Sequence, residues 1–180
     1  MPSADELLMA TFTAVTDELV STLAYVLGNR EDARDAAQET FAKCWRARES
    51  VPDIQNLRAW IFRVALNTAR DMQRSGWAKR SKPLLAEDVF LPARETSPTE
   101  KLEDEEEVAR LRIAILALRP EEREVFLLRL NGDLTYEQIA ELREVPVGTV
   151  KTQMRAALMK LRKVLNPNLE TGTTDEAREG

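Results

Sequence analysis

The sequence has no histidine and only one cysteine, Cys44, in 180 residues. The usual His/Cys zinc sites and any disulfide within one chain are therefore excluded. Neither a metal nor another cofactor is expected. A reducing, intracellular compartment is the natural setting for such a chain. The opening Met1-Pro2-Ser3-Ala4-Asp5-Glu6 lacks the basic start and apolar run of a signal peptide, and no stretch approaches about 20 consecutive apolar residues. The expectation is a soluble, cytoplasmic protein with no direct membrane insertion, any membrane connection being made through a partner.

An excess of positive charge is missing too. The formal net charge of -5 argues against a non-specific nucleic-acid coat, but the charge is segregated. Arg58 to Lys82 carries seven basic residues and one acidic, Glu87 to Glu107 nine acidic and two basic, and Lys151 to Lys163 five basic and none acidic. Two basic surfaces separated by an acidic tether suit a chain that touches DNA twice.

Apolar periodicity makes the chain all-α. A first helix is expected over Ala4 to Leu27, with Leu8, Phe12, Val15, Leu19 and Leu23 on one face, ended by Gly28-Asn29. Asn29 then caps a second helix bearing Ala33, Ala37, Phe41 and Trp45, which Val51-Pro52 breaks. Asn56 caps a third, with Leu57, Trp60, Ile61, Val64, Thr68 and Met72 at helical spacing. Prolines 83, 92 and 98 and the acidic run mark a flexible tether over about 83–103, with helices resuming near Glu105. The expected organisation is a helical domain over 1–82, an acidic linker over 83–107, a second helical domain over 108–165 and a disordered tail over 166–180.

The most informative local pattern begins at Leu134. Thr135 and Gln138 form a capping box, and Leu134 with Ile139 a hydrophobic staple, for a short helix from Tyr136 to Leu142. The turn Arg143-Glu144-Val145-Pro146 follows, and then a helix from about Val147 with Val150, Met154, Ala157, Leu158 and Leu161 on its buried face. This is a helix-turn-helix, and Thr149, Lys151, Thr152, Gln153 and Arg155 lie where a recognition helix meets duplex DNA. Lys151 suits a phosphate, and the Thr149 or Thr152 hydroxyl can donate to the backbone. Gln153 can read adenine bidentately and Arg155 guanine; which of them reaches a base depends on the roll of the helix. The bland alternative is a three-helix bundle with a basic, solvated face.

The chain resembles the bacterial sigma-70 family, specifically its extracytoplasmic-function members. The resemblance is carried by Asp35-Ala36-Ala37-Gln38-Glu39-Thr40-Phe41, Trp45, Leu57 to Asn67, Asp71 and Arg74 in the first part. In the second it rests on Leu118, Arg123 to Phe126, Leu128-Arg129, Leu134 to Ala140, Gly148 to Lys151, Ala157 and Leu161-Arg162. It implies a non-enzymatic subunit that joins core RNA polymerase and directs it to promoters. The first domain would bind the larger (beta prime) subunit and the melted -10 element; the second would bind the -35 duplex and the beta subunit. An anti-sigma protein is the expected regulator.

By that resemblance Asp35, Gln38 and Glu39 contact core polymerase, a role their exposed carboxylate and amide chemistry suits. Arg58, Trp60, Arg63, Asn67, Arg70, Arg74, Lys79 and Arg80 fall on the surface that takes single-stranded -10 DNA. Arginines and an aromatic answer the charge and exposed base faces of an opened strand. Trp60 has a second reading as core and Asn67 as a helix cross-link. Trp45 and Cys44 read as packing.

Three departures from the family pattern stand out. Arg143-Glu144 replaces the usual Leu-Gly, and a left-handed Glu144 would be costly, so a different turn geometry is expected. Leu118-Arg119 stands where leucine-proline is usual, with Pro120 next. Gln153 and Ala156 replace common arginines, which lowers phosphate attraction. Two other functions stay open: a sigma mimic that captures an anti-sigma protein without initiating transcription, and a repressor or activator using only the helix-turn-helix.

Overall fold

The structure, a computed structural model, describes residues 1–76 and 100–170, and all regular structure among them is helical. Helix α1 spans Ala4–Leu27. Its start is fixed by a capping box that the sequence reading passed over: the Ser3 hydroxyl accepts from the Glu6 N–H at 3.2 Å and the Glu6 carboxylate from the Ser3 N–H at 2.8 Å. Gly28 ends it in the left-handed region at φ 80°. By length and composition alone α1 is apolar enough to cross a membrane, with a mean hydropathy of 1.3. Scattered polar residues interrupt its apolar runs without lowering the average far. Here its apolar face, Leu8, Val15, Leu19 and Leu23, is core.

Helix α2 (Arg30–Arg46) starts where Asn29 accepts from the Asp32 N–H at 2.9 Å. A 3-10 turn over Arg48–Asp53 contains Pro52, and α3 (Leu57–Arg74) starts on Asn56, which accepts from the Ala59 N–H at 2.9 Å. Each of these caps removes one orphan donor and is worth roughly 1 kcal/mol. The three helices close on Tyr25, Ile61, Phe62 and Leu66, all fully buried, each large side chain contributing about 1.5–3 kcal/mol of apolar burial.

Helix α4 (Glu100–Ala117) begins five residues before the expected Glu105. The acidic sequence that read as a tether also suits the first turn of a helix, where the backbone dipole favours negative charge. The remainder of the expected linker, 83–99, and the last residues of the expected first domain, 77–82, lie outside the described residues. Helix α5 (Pro120–Leu130) places Pro120 in its first turn, α6 covers Tyr136–Arg143 and α7 covers Val147–Leu165. The predicted Thr135–Gln138 capping box is formed on both sides, at 2.9 and 3.1 Å. A 3-10 turn over Pro167–Glu170 follows α7, within the segment expected as tail; 171–180 lie outside the described residues.

Two side chains tie this second unit together. Arg123 donates to the carbonyls of Ile115, Leu116 and Leu118 at 3.1, 2.6 and 2.9 Å, satisfying the carbonyls that the end of α4 leaves open. Lys160 of α7 reaches both oxygens of Glu122 at 2.9 and 2.7 Å. Burial pushes the Glu122 carboxyl up, but the Lys160 hydrogen bonds, the Arg119 N–H and the charges of both residues outweigh it and hold the pKa below its ordinary value.

The two units touch. Helix α1 packs along α5, and their buried apolar side chains form one connected cluster. Arg123 reaches across to the Tyr25 carbonyl at 3.2 Å, and the Asn131 amide donates to the Thr22 hydroxyl at 3.1 Å with both residues buried.

Candidate nucleic-acid interface

Arg63, Asn67, Arg70 and Arg74 recur every three or four residues along α3 and share one stripe of the helix. Arg63, Asn67 and Arg74 are exposed, while Arg58, Trp60 and Arg70 are half-buried. Trp60 packs against the core and keeps part of its surface in solvent. Lys79 and Arg80 lie outside the described residues.

The half-buried arginines are engaged by the second unit. Arg58 donates through Nε to the Gly132 carbonyl at 2.8 Å and through Nη2 to the Asn131 carbonyl, and its guanidinium lies 5.8 Å from the Phe62 ring centre. Arg70 donates through Nη2 to Glu124 Oε1 at 2.8 Å. The same oxygen lies 3.4 Å from Arg143 Nε, so one carboxylate is shared by two guanidinium groups. Around this seam are buried polar atoms without hydrogen-bond partners, the Tyr25 hydroxyl, Arg112 Nε, Asn131 Oδ1 and Arg143 Nε, the last meeting Glu124 only as an ion pair, and each orphan of this kind costs about 1–3 kcal/mol. Burial pushes the Tyr25 hydroxyl well above its ordinary pKa, against the opposing pull of Arg112 and Arg123.

In the helix-turn-helix, Glu144 adopts the left-handed conformation at φ 56°, ψ 43°. The expectation of a different turn geometry is therefore wrong. The chain keeps the turn that usually uses glycine, because the Val145 N–H closes onto the Ala140 carbonyl at 3.0 Å and the Glu144 N–H onto Glu141 at 3.2 Å. Met154, Val150, Ala157 and Leu161 are buried, leaving Lys151, Thr152 and Arg155 exposed with Thr149 and Gln153 half-buried. The Thr152 hydroxyl donates to the Gly148 carbonyl at 2.9 Å, so its proton is occupied within the helix.

Gln153 is held by the turn. Arg143, with a side chain only 9% exposed, donates to Gln153 Oε1 at 2.5 Å. Guanidinium has no acceptor, so the amide oxygen must face it and the NH2 must face away. Two departures from the family pattern, Arg143 and Gln153, are thus partners in one hydrogen bond. The bidentate adenine contact needs that oxygen as an acceptor as well as the NH2 as a donor; the arrangement favours donation to a base acceptor instead.

On α2, Asp35, Gln38 and Glu39 are all exposed, and Glu39 pairs with Arg46 at 3.0 Å. Cys44 is fully buried, and burial pushes its thiol up to about 12. Trp45 stacks on Phe41, with ring centres 5.9 Å apart. Among the described residues no group of three or more His, Cys, Asp or Glu side chains gathers to hold a metal. The residues that the sequence reading missed are Thr22, Glu124, Asn131 and Arg143. Their roles arise between segments 54 to 109 residues apart or within a turn, and no local pattern marks them.

Comparison with known proteins agrees with this architecture. Residues 11–79 match the family described as Sigma-70 region 2, and residues 109–161 match Sigma-70, region 4. The chain is 33% identical over 168 residues to the ECF RNA polymerase sigma factor SigE of Mycolicibacterium smegmatis, covering 92% of this chain and 62% of that protein. It is 30% identical over 146 residues to the ECF RNA polymerase sigma-E factor of Haemophilus influenzae, covering 77% of each. The sigma factor RpoE of Bartonella quintana, solved in complex with the anti-sigma factor NepR, shares the fold with a TM-score of 0.68 at 20% identity, over 91% of this chain and 97% of that one.

Proposed function

Because the chain belongs to the extracytoplasmic-function sigma factors of the sigma-70 family, we propose that it joins core RNA polymerase through Asp35, Gln38 and Glu39 and carries it to promoters. Arg58, Trp60, Arg63, Asn67, Arg70 and Arg74 take the opened -10 strand. Lys79 and Arg80 add phosphate attraction. Lys151, Arg155, Thr149, Thr152 and Gln153 take the -35 duplex. The observation that carries this reading is the presence on one chain of an arginine stripe suited to single strands and a helix-turn-helix whose Lys151 and Arg155 stand free in solvent. No catalysis by the chain is required. Holding an unstacked base offsets a few kcal/mol of unstacking, which biases an opening that the polymerase makes accessible. The work is cytoplasmic, and by analogy with the Bartonella complex an anti-sigma protein is the partner that restrains it.

Run-off transcription with purified core enzyme and a broad promoter library tests this reading. Selected promoters should fire only when the chain is present. Absence of stimulation together with absence of core binding overturns it. Tight anti-sigma binding without transcription would instead favour the sigma mimic.

A further inference from the structure

We infer that Arg143 is a positioning residue for promoter selection: it turns the Gln153 amide so that the recognition helix picks guanine where a free glutamine picks adenine. The inference rests on the promoter reading above and names the base chemistry within it. Gln153 is half-buried on α7, at the border between the buried Val150, Met154, Ala157 and Leu161 and the exposed Thr152. Arg143, at the end of α6, donates through Nη1 to Gln153 Oε1 at 2.5 Å. Its side chain is 9% exposed, and its Nε lies 3.4 Å from Glu124 Oε1. The arginine's charge is therefore balanced inside the protein, and Gln153 is the end of the pair that reaches solvent.

A glutamine amide reads adenine by accepting from N6 while donating to N7. Here the accepting atom already faces a cation. A second donor arriving at Oε1 meets the positive guanidinium behind it, whereas the NH2 group, polarised by that same charge, becomes a stronger donor. In the major groove guanine presents two neighbouring acceptors, N7 and O6, adenine and thymine present one each, and cytosine only a donor. Guanine alone can use both amide protons. Holding the amide in this orientation before DNA arrives also lowers the ordering cost of the contact. Lys151 and Arg155 stand two positions either side of Gln153, on other parts of the helix surface, so their contacts do not depend on the Arg143 bond. The selection is confined to one base position.

The test uses the full chain assembled with core polymerase, and a duplex library randomised at the -10 and -35 elements, at one fixed salt concentration. Bound fragments are sequenced for the unsubstituted chain and for two variants, with circular dichroism confirming folding. Arg143→Met removes the donor at similar side-chain length and frees the amide to turn. Gln153→Glu keeps a partner for Arg143 but has no proton to donate. The unsubstituted holoenzyme should enrich guanine at one upstream position that changes in both variants. Arg143→Met should shift the guanine-to-adenine ratio there about tenfold toward adenine, and Gln153→Glu should replace guanine by cytosine, whose N4 donates to a carboxylate. The other positions should keep their preferences; a merely structural role for Arg143 would weaken all of them alike. Uniform weakening in both variants, guanine retained at every position with Gln153→Glu, or adenine preferred by the unsubstituted chain at the position Gln153 governs overturns the inference. Should Arg143→Met not fold, the Gln153→Glu result decides alone. The two failures are distinct: an enriched upstream sequence that both variants leave intact removes only the positioning role, whereas no enrichment by the unsubstituted holoenzyme removes the promoter reading and this inference with it.

Discussion

Glu144 holds a backbone conformation, φ 56° and ψ 43°, that side chains other than glycine adopt at a cost of about 1–2 kcal/mol. That cost taken alone favours another turn. Against it stand two main-chain hydrogen bonds at the end of α6 and the burial of Val150, Met154, Ala157 and Leu161 on α7, which the turn leads into. Glu144→Gly should therefore raise stability by about 0.5–1 kcal/mol, the relief being partly offset by the extra freedom of glycine in the unfolded chain. Thermal melting should show a rise of about 2–4 °C; a fall would mean that the Glu144 side chain makes a contact worth more than the strain. Arg143 and Gln153 teach the complementary lesson. Each departs from the family pattern singly, and only the folded turn reveals that they face each other at 2.5 Å.

At the scale of elements, helix starts were legible because their causes are local. Asn29, Asn56 and Thr135 each cap the helix expected of them, since the bond runs to a backbone N–H three residues away. The start of α4 was less legible because acidic residues suit both a solvated tether and the first turn of a helix. The clamp between α5 and α7 was invisible, being a pairing of Glu122 and Lys160 across 38 positions. That clamp has a pH signature. The folded pKa of Glu122 is below its ordinary value near 4.5, so its stabilisation is complete above that value and is lost as pH falls through the folded pKa. Glu122→Gln should cost about 1 kcal/mol at pH 7, with half-exposed Lys160 keeping the figure modest. In urea unfolding the gap between the two proteins should narrow below about pH 4.5. A gap independent of pH would show that the amide loses packing and not charge.

For the whole molecule, the all-helical class and the two family segments followed from periodicity and motif order, but the way the segments meet did not. Arg58 finds its partners 73 and 74 residues away, and both are main-chain carbonyls, which no motif records. The same separation of parts predicts a division of labour under the promoter reading. Lys151→Glu or Arg155→Glu should weaken -35 duplex binding by the holoenzyme about tenfold or more. The Lys151 change should also reduce the salt slope by about one. Core association, followed by co-purification, should hardly change; equal loss of both activities would reject the assignment. The carbonyl acceptors of Arg58 carry a consequence for how such a chain can drift over generations. Replacing the side chain of residue 131 or 132 leaves its carbonyl oxygen in place, so that half of the seam is adjusted chiefly through Arg58 itself. Under the promoter reading, a change there that loosens the seam also strips a donor from the face proposed for the -10 strand, so the two effects are inherited together.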